Sequence, residues 1–143
     1  MKRVLVTGST QGIGKAIAKR FVADGYSVIV HCSNDIEKAE RIKKEIGADK
    51  AVICDLSDME QVAKIKDVTG AVDVLVINAS VQYKQKWQDI SDYEIEKQLN
   101  VNVVSTLKLI QMYYPDMETN GFGRIITIGS VNQHRQHPEL SFY

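Results

Sequence analysis

The stretch Thr7-Gly8-Ser9-Thr10-Gln11-Gly12-Ile13-Gly14 follows the apolar run Val4-Leu5-Val6 and leads into Ile13, Ile17 and Phe21 at helical spacing. A β-branched run, a glycine-rich turn and an amphipathic segment in immediate succession read as strand, tight loop and helix, with the helix closing at Gly25. The glycines let the backbone turn sharply and come close to a bound group, and the amides at a helix start favour negative charge. A pyrophosphate is the group such a turn suits.

The pattern then repeats. Val28-Ile29-Val30 predicts a second strand, and Ile36, Ala39, Ile42 and Ile46 mark a helix ending at Gly47. Ala51-Val52-Ile53 predicts a third strand, followed by a helix that Ser57 and Glu60 open as a capping box and Gly70 closes. Val72 to Ile77 is apolar apart from Asp73, as a parallel strand buried on both faces requires. A second capping box, Ser91 with Glu94, opens one long helix that carries Ile95, Leu99, Val103, Leu107 and Ile110 to about Met117, with Pro115 bending its last turn. Arg124 to Ile128 predicts the fifth strand. Alternating strands and helices imply right-handed βαβ units, so the fold class is α/β, a Rossmann-type doubly wound parallel sheet truncated after its fifth strand. Residues 1–143 are expected to be one incomplete domain of that type, with the fifth strand left as an apolar edge that lowers solubility.

Charge and composition narrow the function classes. Eighteen Lys and Arg balance eighteen Asp and Glu, giving no field that would draw nucleic acid or a membrane surface. The apolar run at the start stops at Thr7-Gly8, too short for a signal peptide or a span, so a cytoplasmic location is expected. Cys32 and Cys54 lie near the ends of neighbouring strands and are expected as free thiols, with a disulfide between them conceivable under oxidation. His134 and His137, three apart in a loop, read as solvated residues rather than metal ligands, because a catalytic metal needs a third protein ligand; no metal is expected.

Three residues between the first two glycines, then Gly-Ile-Gly, give a motif that resembles the short-chain dehydrogenase/reductase family rather than its extended, epimerase-like branch. Gly8, Ser9, Gln11, Gly12, Ile13 and Gly14 would then hold the cofactor. Asp55-Leu56 stands where the family receives adenine, although Asp55 alone reads equally as a helix cap. Asn78-Ala79 resembles the core of the family's Asn-Asn-Ala-Gly, with Ile77 and Ser80 departing from its flanks; an ordinary strand-end turn would also place an Asn there. Asn102 matches the helix asparagine that supports a proton relay, and Ser130 with Tyr143 has the spacing of the family's catalytic pair.

The resemblance implies hydride transfer between a nicotinamide cofactor and a small carbonyl or alcohol substrate, in the style of 3-oxoacyl-carrier-protein reductases. Ser130 would position the substrate oxygen and Tyr143 would give or take its proton. A phenol of pKa about 10 is a poor base near neutrality, so the family sets a lysine four residues after the tyrosine. The sequence stops short of that position, which leads to the expectation of an active parent enzyme and a weak, inactive cofactor binder over these residues. The alternative is a catalytically inactive dinucleotide-binding sensor. Family tetramers pair through the long fourth helix, so the parent chain is expected to form homo-oligomers. NAD-preferring chains carry an acid about 20 residues beyond the glycine motif. Here Cys32 ends the second strand, and Ser33 and Asn34 can donate to a 2′-phosphate, which favours NADP over NAD.

Overall fold

Parallel strands β1 (Arg3–Val6), β2 (Ser27–Cys32), β3 (Lys50–Ile53), β4 (Val74–Ile77) and β5 (Arg124–Thr127) form one sheet in the order β3-β2-β1-β4-β5 in the computed structural model, which describes residues 1–135, 137–140 and 142. Helices α1 (Gly12–Ala23), α2 (Ile36–Ile46), α3 (Met59–Thr69), α4 (Asp92–Leu99) and α5 (Ser105–Thr119) connect them.

Successive strand residues point to opposite faces, and both faces are covered. Val4, Val6, Val28, Val30, Val74 and Val76 pack on one side with Ala18 of α1 and Ile42 and Ile46 of α2. Leu5, Ile29, Val52, Leu75 and Ile77 pack on the other with Val62 and Ile65 of α3 and Leu109, Tyr113 and Met117 of α5. The near-continuous apolar reading of the strands is the consequence of this double burial. Asp73, the one charge in the fourth run, lies outside β4, where its Oδ2 accepts the Arg3 amide at 2.7 Å and fixes the start of β1. The same alternation separates the cysteines: Cys54 belongs to the Leu5 face, whereas Cys32, two residues beyond Val30, lies on the opposite one. Both are free, and their placement across the sheet removes the disulfide conceived from sequence.

Two local expectations are corrected. Ser57 does not cap α3; its amide and hydroxyl both donate to Asp55 Oδ1, at 2.9 and 2.7 Å, and Asp58 takes the cap, accepting from the amides of Glu60 and Gln61. The long helix is also not one α-helix. After the Ser91–Glu94 capping box, which forms as expected, a π-helical turn at Asn100–Val104 separates α4 from α5, with the Ser105 amide reaching back to the Asn100 carbonyl. Such a turn displaces carbonyls from their regular partners. The hydroxyls of Ser105 and Thr106 donate to the Val101 and Asn102 carbonyls, at 2.7 and 3.3 Å. Helix α5 continues through Pro115 to Thr119. Strand β5 is the sheet edge, with Ile126 and Ile128 exposed beside it. Among the described residues, no helix is long and apolar enough to cross a membrane.

Candidate functional site

The strand order reverses between β1 and β4, and a crevice opens above the carboxyl ends of strands at such a point. Here it is a cavity of about 770 Å³, walled by Gly8 and residues 11–14 from the glycine loop, 32–35 and Lys38 after β2, Asp55 and Leu56 after β3, 78–81 after β4, and Lys97 and Val101 beyond.

The glycine loop is fixed from three sides. Thr7, fully buried, accepts the amides of Asn78 and Ala79 on its Oγ1 at 2.9 and 3.0 Å, joining the ends of β1 and β4. Asn78 Nδ2 donates to the carbonyls of Thr7 and Gly8 at 3.0 and 3.1 Å. A side chain at Gly14 would collide with Asn78 Nδ2 and the Gly8 carbonyl, so the helix can begin this close to β4 only with glycine there. The third support is His31, inward-facing at the end of β2. Its Nδ1 accepts the Gly8 amide at 3.0 Å and its Nε2 donates to the Cys54 carbonyl at 2.9 Å, so the ring bridges β1, β2 and β3 in one neutral tautomer. Burial pushes this imidazole down from 6.5 to about 4.

Helix α1 starts over the cavity without a cap. Gln11 makes no side-chain capping bond, the first turn holds no acid, and the amides of Gly12, Ile13 and Gly14 find no acceptor among the described residues. Asp35, Asp58 and Ser91 cap α2, α3 and α4 by contrast. At Gly12, where φ is +53°, the space a Cβ would enter is open, so a ligand can approach the bare backbone. Unpaired amides, helix dipole and open backbone together suit a pyrophosphate, and the residues present therefore fit a dinucleotide.

Other predicted residues take their places around this cradle. Ile13 stands 64% exposed at the cavity wall. Asp55 uses Oδ1 on Ser57 and leaves Oδ2 without a protein partner among the described residues. Ser33 donates to Asn34 Oδ1 at 3.3 Å, both exposed on the rim. The Cys32 thiol beside them is raised by burial but lowered further by the amides of Asp35, Asn34 and Ser33 and the Thr10 hydroxyl, leaving it below the ordinary thiol value.

Three predicted residues stand outside the cavity wall. Ser9 is fully buried and braces the loop, donating its amide to the His31 carbonyl and accepting the His31 amide on Oγ. Asn102 faces the β4 loop from the π-turn: its Oδ1 accepts the Val81 amide at 2.9 Å and its Nδ2 donates to the Val81 carbonyl at 2.7 Å. Ser130, half-buried, accepts the Asn132 amide at 3.1 Å at the start of a short turn. Tyr143 lies outside the described residues. Thr7, His31 and Lys38 were not singled out from sequence. His31 carried a readable signal, a polar residue in register with Ile29 on an inward strand face.

The short chain dehydrogenase family profile matches residues 2–143. The 3-oxoacyl-[acyl-carrier-protein] reductase MabA of Mycobacterium bovis is 33% identical over 138 residues, covering 92% of this chain and 51% of the relative. The cyclic-di-GMP-binding biofilm dispersal mediator protein of Escherichia coli is 33% identical over 134 residues, covering 94% and 55%. A solved 3-oxoacyl (acyl-carrier-protein) reductase from Agrobacterium tumefaciens C58 with NADP bound superposes with a TM-score of 0.84 at 32% identity, over 99% of this chain and 57% of that one. The chain spans about half the length of the curated relatives it matches. Glycine loop, strand order and sequence match together place the chain in the short-chain dehydrogenase family.

Proposed function

We propose that the protein is an oxidoreductase of the 3-oxoacyl-reductase type, moving a hydride between NADP and a small carbonyl or alcohol substrate. The uncapped α1 amides above the switch-point cavity carry this reading, because no residue of the protein uses them and an anion would. In the proposed complex the pyrophosphate lies on the amides of residues 12–14, and Asp55 Oδ2 accepts from the adenine amine. The bound nicotinamide would supply or take up the hydride. Ser130 would hold the substrate oxygen through its hydroxyl and Tyr143 would exchange the proton on that oxygen, roles that rest on the family pattern. Asn102 acts through the backbone, holding Val81 and so the loop that follows Asn78 and Ala79.

Cofactor choice follows from β2. Cys32 ends the strand with no carboxylate to repel a 2′-phosphate, and Ser33 and Asn34 offer donors. The solved relative with NADP bound supports the same choice. Fluorescence titration with NADPH and NADH tests it: tighter NADPH binding is expected, and tighter NADH binding would reverse the assignment. A nucleotide-binding sensor without turnover is the second reading, supported by the Escherichia coli relative named for binding cyclic-di-GMP. Consumption of NADPH with a 3-oxoacyl thioester separates the two.

Homo-oligomers are proposed through the outer face of α4 and α5. Leu99, Val103, Leu107 and Tyr114 stand 44%, 58%, 56% and 50% exposed in one stripe. A second copy presenting the same stripe would bury it.

A further inference from the structure

We propose that Lys38, held across the cavity rim by Gln11, is the residue that selects a 2′-phosphorylated dinucleotide over its unphosphorylated counterpart. The inference rests on the dinucleotide reading above and adds the side chain that would carry the discrimination. Lys38 lies in the first turn of α2, half-buried, and lines the cavity next to Ser33 and Asn34. Its Nζ donates to Gln11 Oε1 at 2.7 Å, the only side-chain bond it makes among the described residues. Nearby lysines on the same two helices have carboxylate partners: Lys15 pairs with Glu45 and Lys43 with Glu40, at 2.7 and 2.6 Å. Lys38 has none, so its charge is placed at the rim and is not neutralised there.

Gln11 is placed as a holder. It occupies the N-cap position of α1 but does not cap it; its amide oxygen turns instead toward α2 and takes the ammonium. A neutral acceptor orients the lysine without cancelling its charge, and two of the three ammonium protons remain for an anion. Asp35 also lines the cavity, yet its Oδ1 is bound to the Lys38 amide at 2.8 Å as the cap of α2. Lys97, the other cation on the wall, comes from α4 and donates to the Tyr93 hydroxyl at 3.2 Å, leaving Lys38 as the cation beside residues 33–35. A phosphate on the adenosine ribose would meet Lys38, the Ser33 hydroxyl and the Asn34 amide together, whereas a ribose hydroxyl would gain no charged contact.

Calorimetric titration of the purified protein with NADP⁺, NAD⁺, 2′-AMP and 5′-AMP tests this without turnover. Lys38→Gln is expected to weaken NADP⁺ and 2′-AMP by about tenfold or more, as loss of a charge-assisted bond does, and to change NAD⁺ and 5′-AMP by less than about threefold. Lys38→Arg should keep most of the preference. Added salt should erode the NADP⁺ preference of the unsubstituted protein and leave that of Lys38→Gln unchanged. Parallel weakening of all four ligands, or an unchanged NADP⁺ to NAD⁺ ratio in a folded Lys38→Gln protein, would overturn the proposal. So would an unsubstituted protein that prefers NAD⁺, a result that leaves the dinucleotide reading standing; binding of neither nucleotide would remove both.

Discussion

At the scale of single residues, the site depends on His31 as a neutral strut. Folding removes its ring from water and uses Nδ1 as an acceptor for Gly8, a bond that the protonated ring cannot accept. The unfolded chain binds that proton near 6.5 and the folded chain only near 4. Stability from this residue is therefore complete above pH 6.5 and falls as the pH drops toward 4, by about 3 kcal/mol in all. Urea unfolding between pH 7.5 and 4.5 should show that loss, and His31→Ala, less stable at neutral pH, should lose less over the same window. Equal pH slopes in the two proteins would mean that other groups govern acid unfolding. The glycines and Asn78 could be read in advance because their chemistry is written in local spacing. His31 could not be assigned its partners, since Gly8 and Cys54 meet it only after three strands have paired.

At the scale of elements, strands and helices were legible almost throughout, because apolar periodicity reports double burial directly. The failures occurred where polar side chains chose among neighbouring backbone groups. Ser57 and Asp58 are adjacent candidates for one cap, and the preference of Ser57 for Asp55 decides between them. The π-turn left no trace in the apolar spacing of Leu99, Val103 and Leu107; it accompanies Asn100 and Asn102, whose side chains bond to the Ser57 carbonyl and to Val81. Just before that turn, Gln98 is 3% exposed and neither end of its amide has a partner. A buried unpaired amide costs about 1–3 kcal/mol, so Gln98→Leu should raise stability by about 1–2 kcal/mol if the slightly different shape is accommodated. The urea midpoint reads this, and a lower midpoint would mean that Gln98 has a polar partner in solution.

At the scale of the whole molecule, topology was legible because alternating strands and helices leave one handed way to build a parallel sheet, and the switch point then locates the cavity. The surroundings of Ser130 were not, because Asn102 and Ser130 come from opposite ends of α5 and β5, and neither lines the cavity. Assembly belongs to this scale as well. The stripe of Leu99, Val103, Leu107 and Tyr114 lies on the outer face, away from the buried Leu109, Tyr113 and Met117 that anchor α5 to the sheet. A charge placed in that stripe should cost the monomer little, since Leu107 is already 56% exposed, but should be costly if a second copy removes it from water. Leu107→Glu is therefore expected to shift light-scattering mass from oligomer to monomer while leaving the far-ultraviolet spectrum and nucleotide affinity in place. An unsubstituted protein that is monomeric at micromolar concentration, or a Leu107→Glu oligomer of unchanged mass, would assign the stripe to some other contact than self-association.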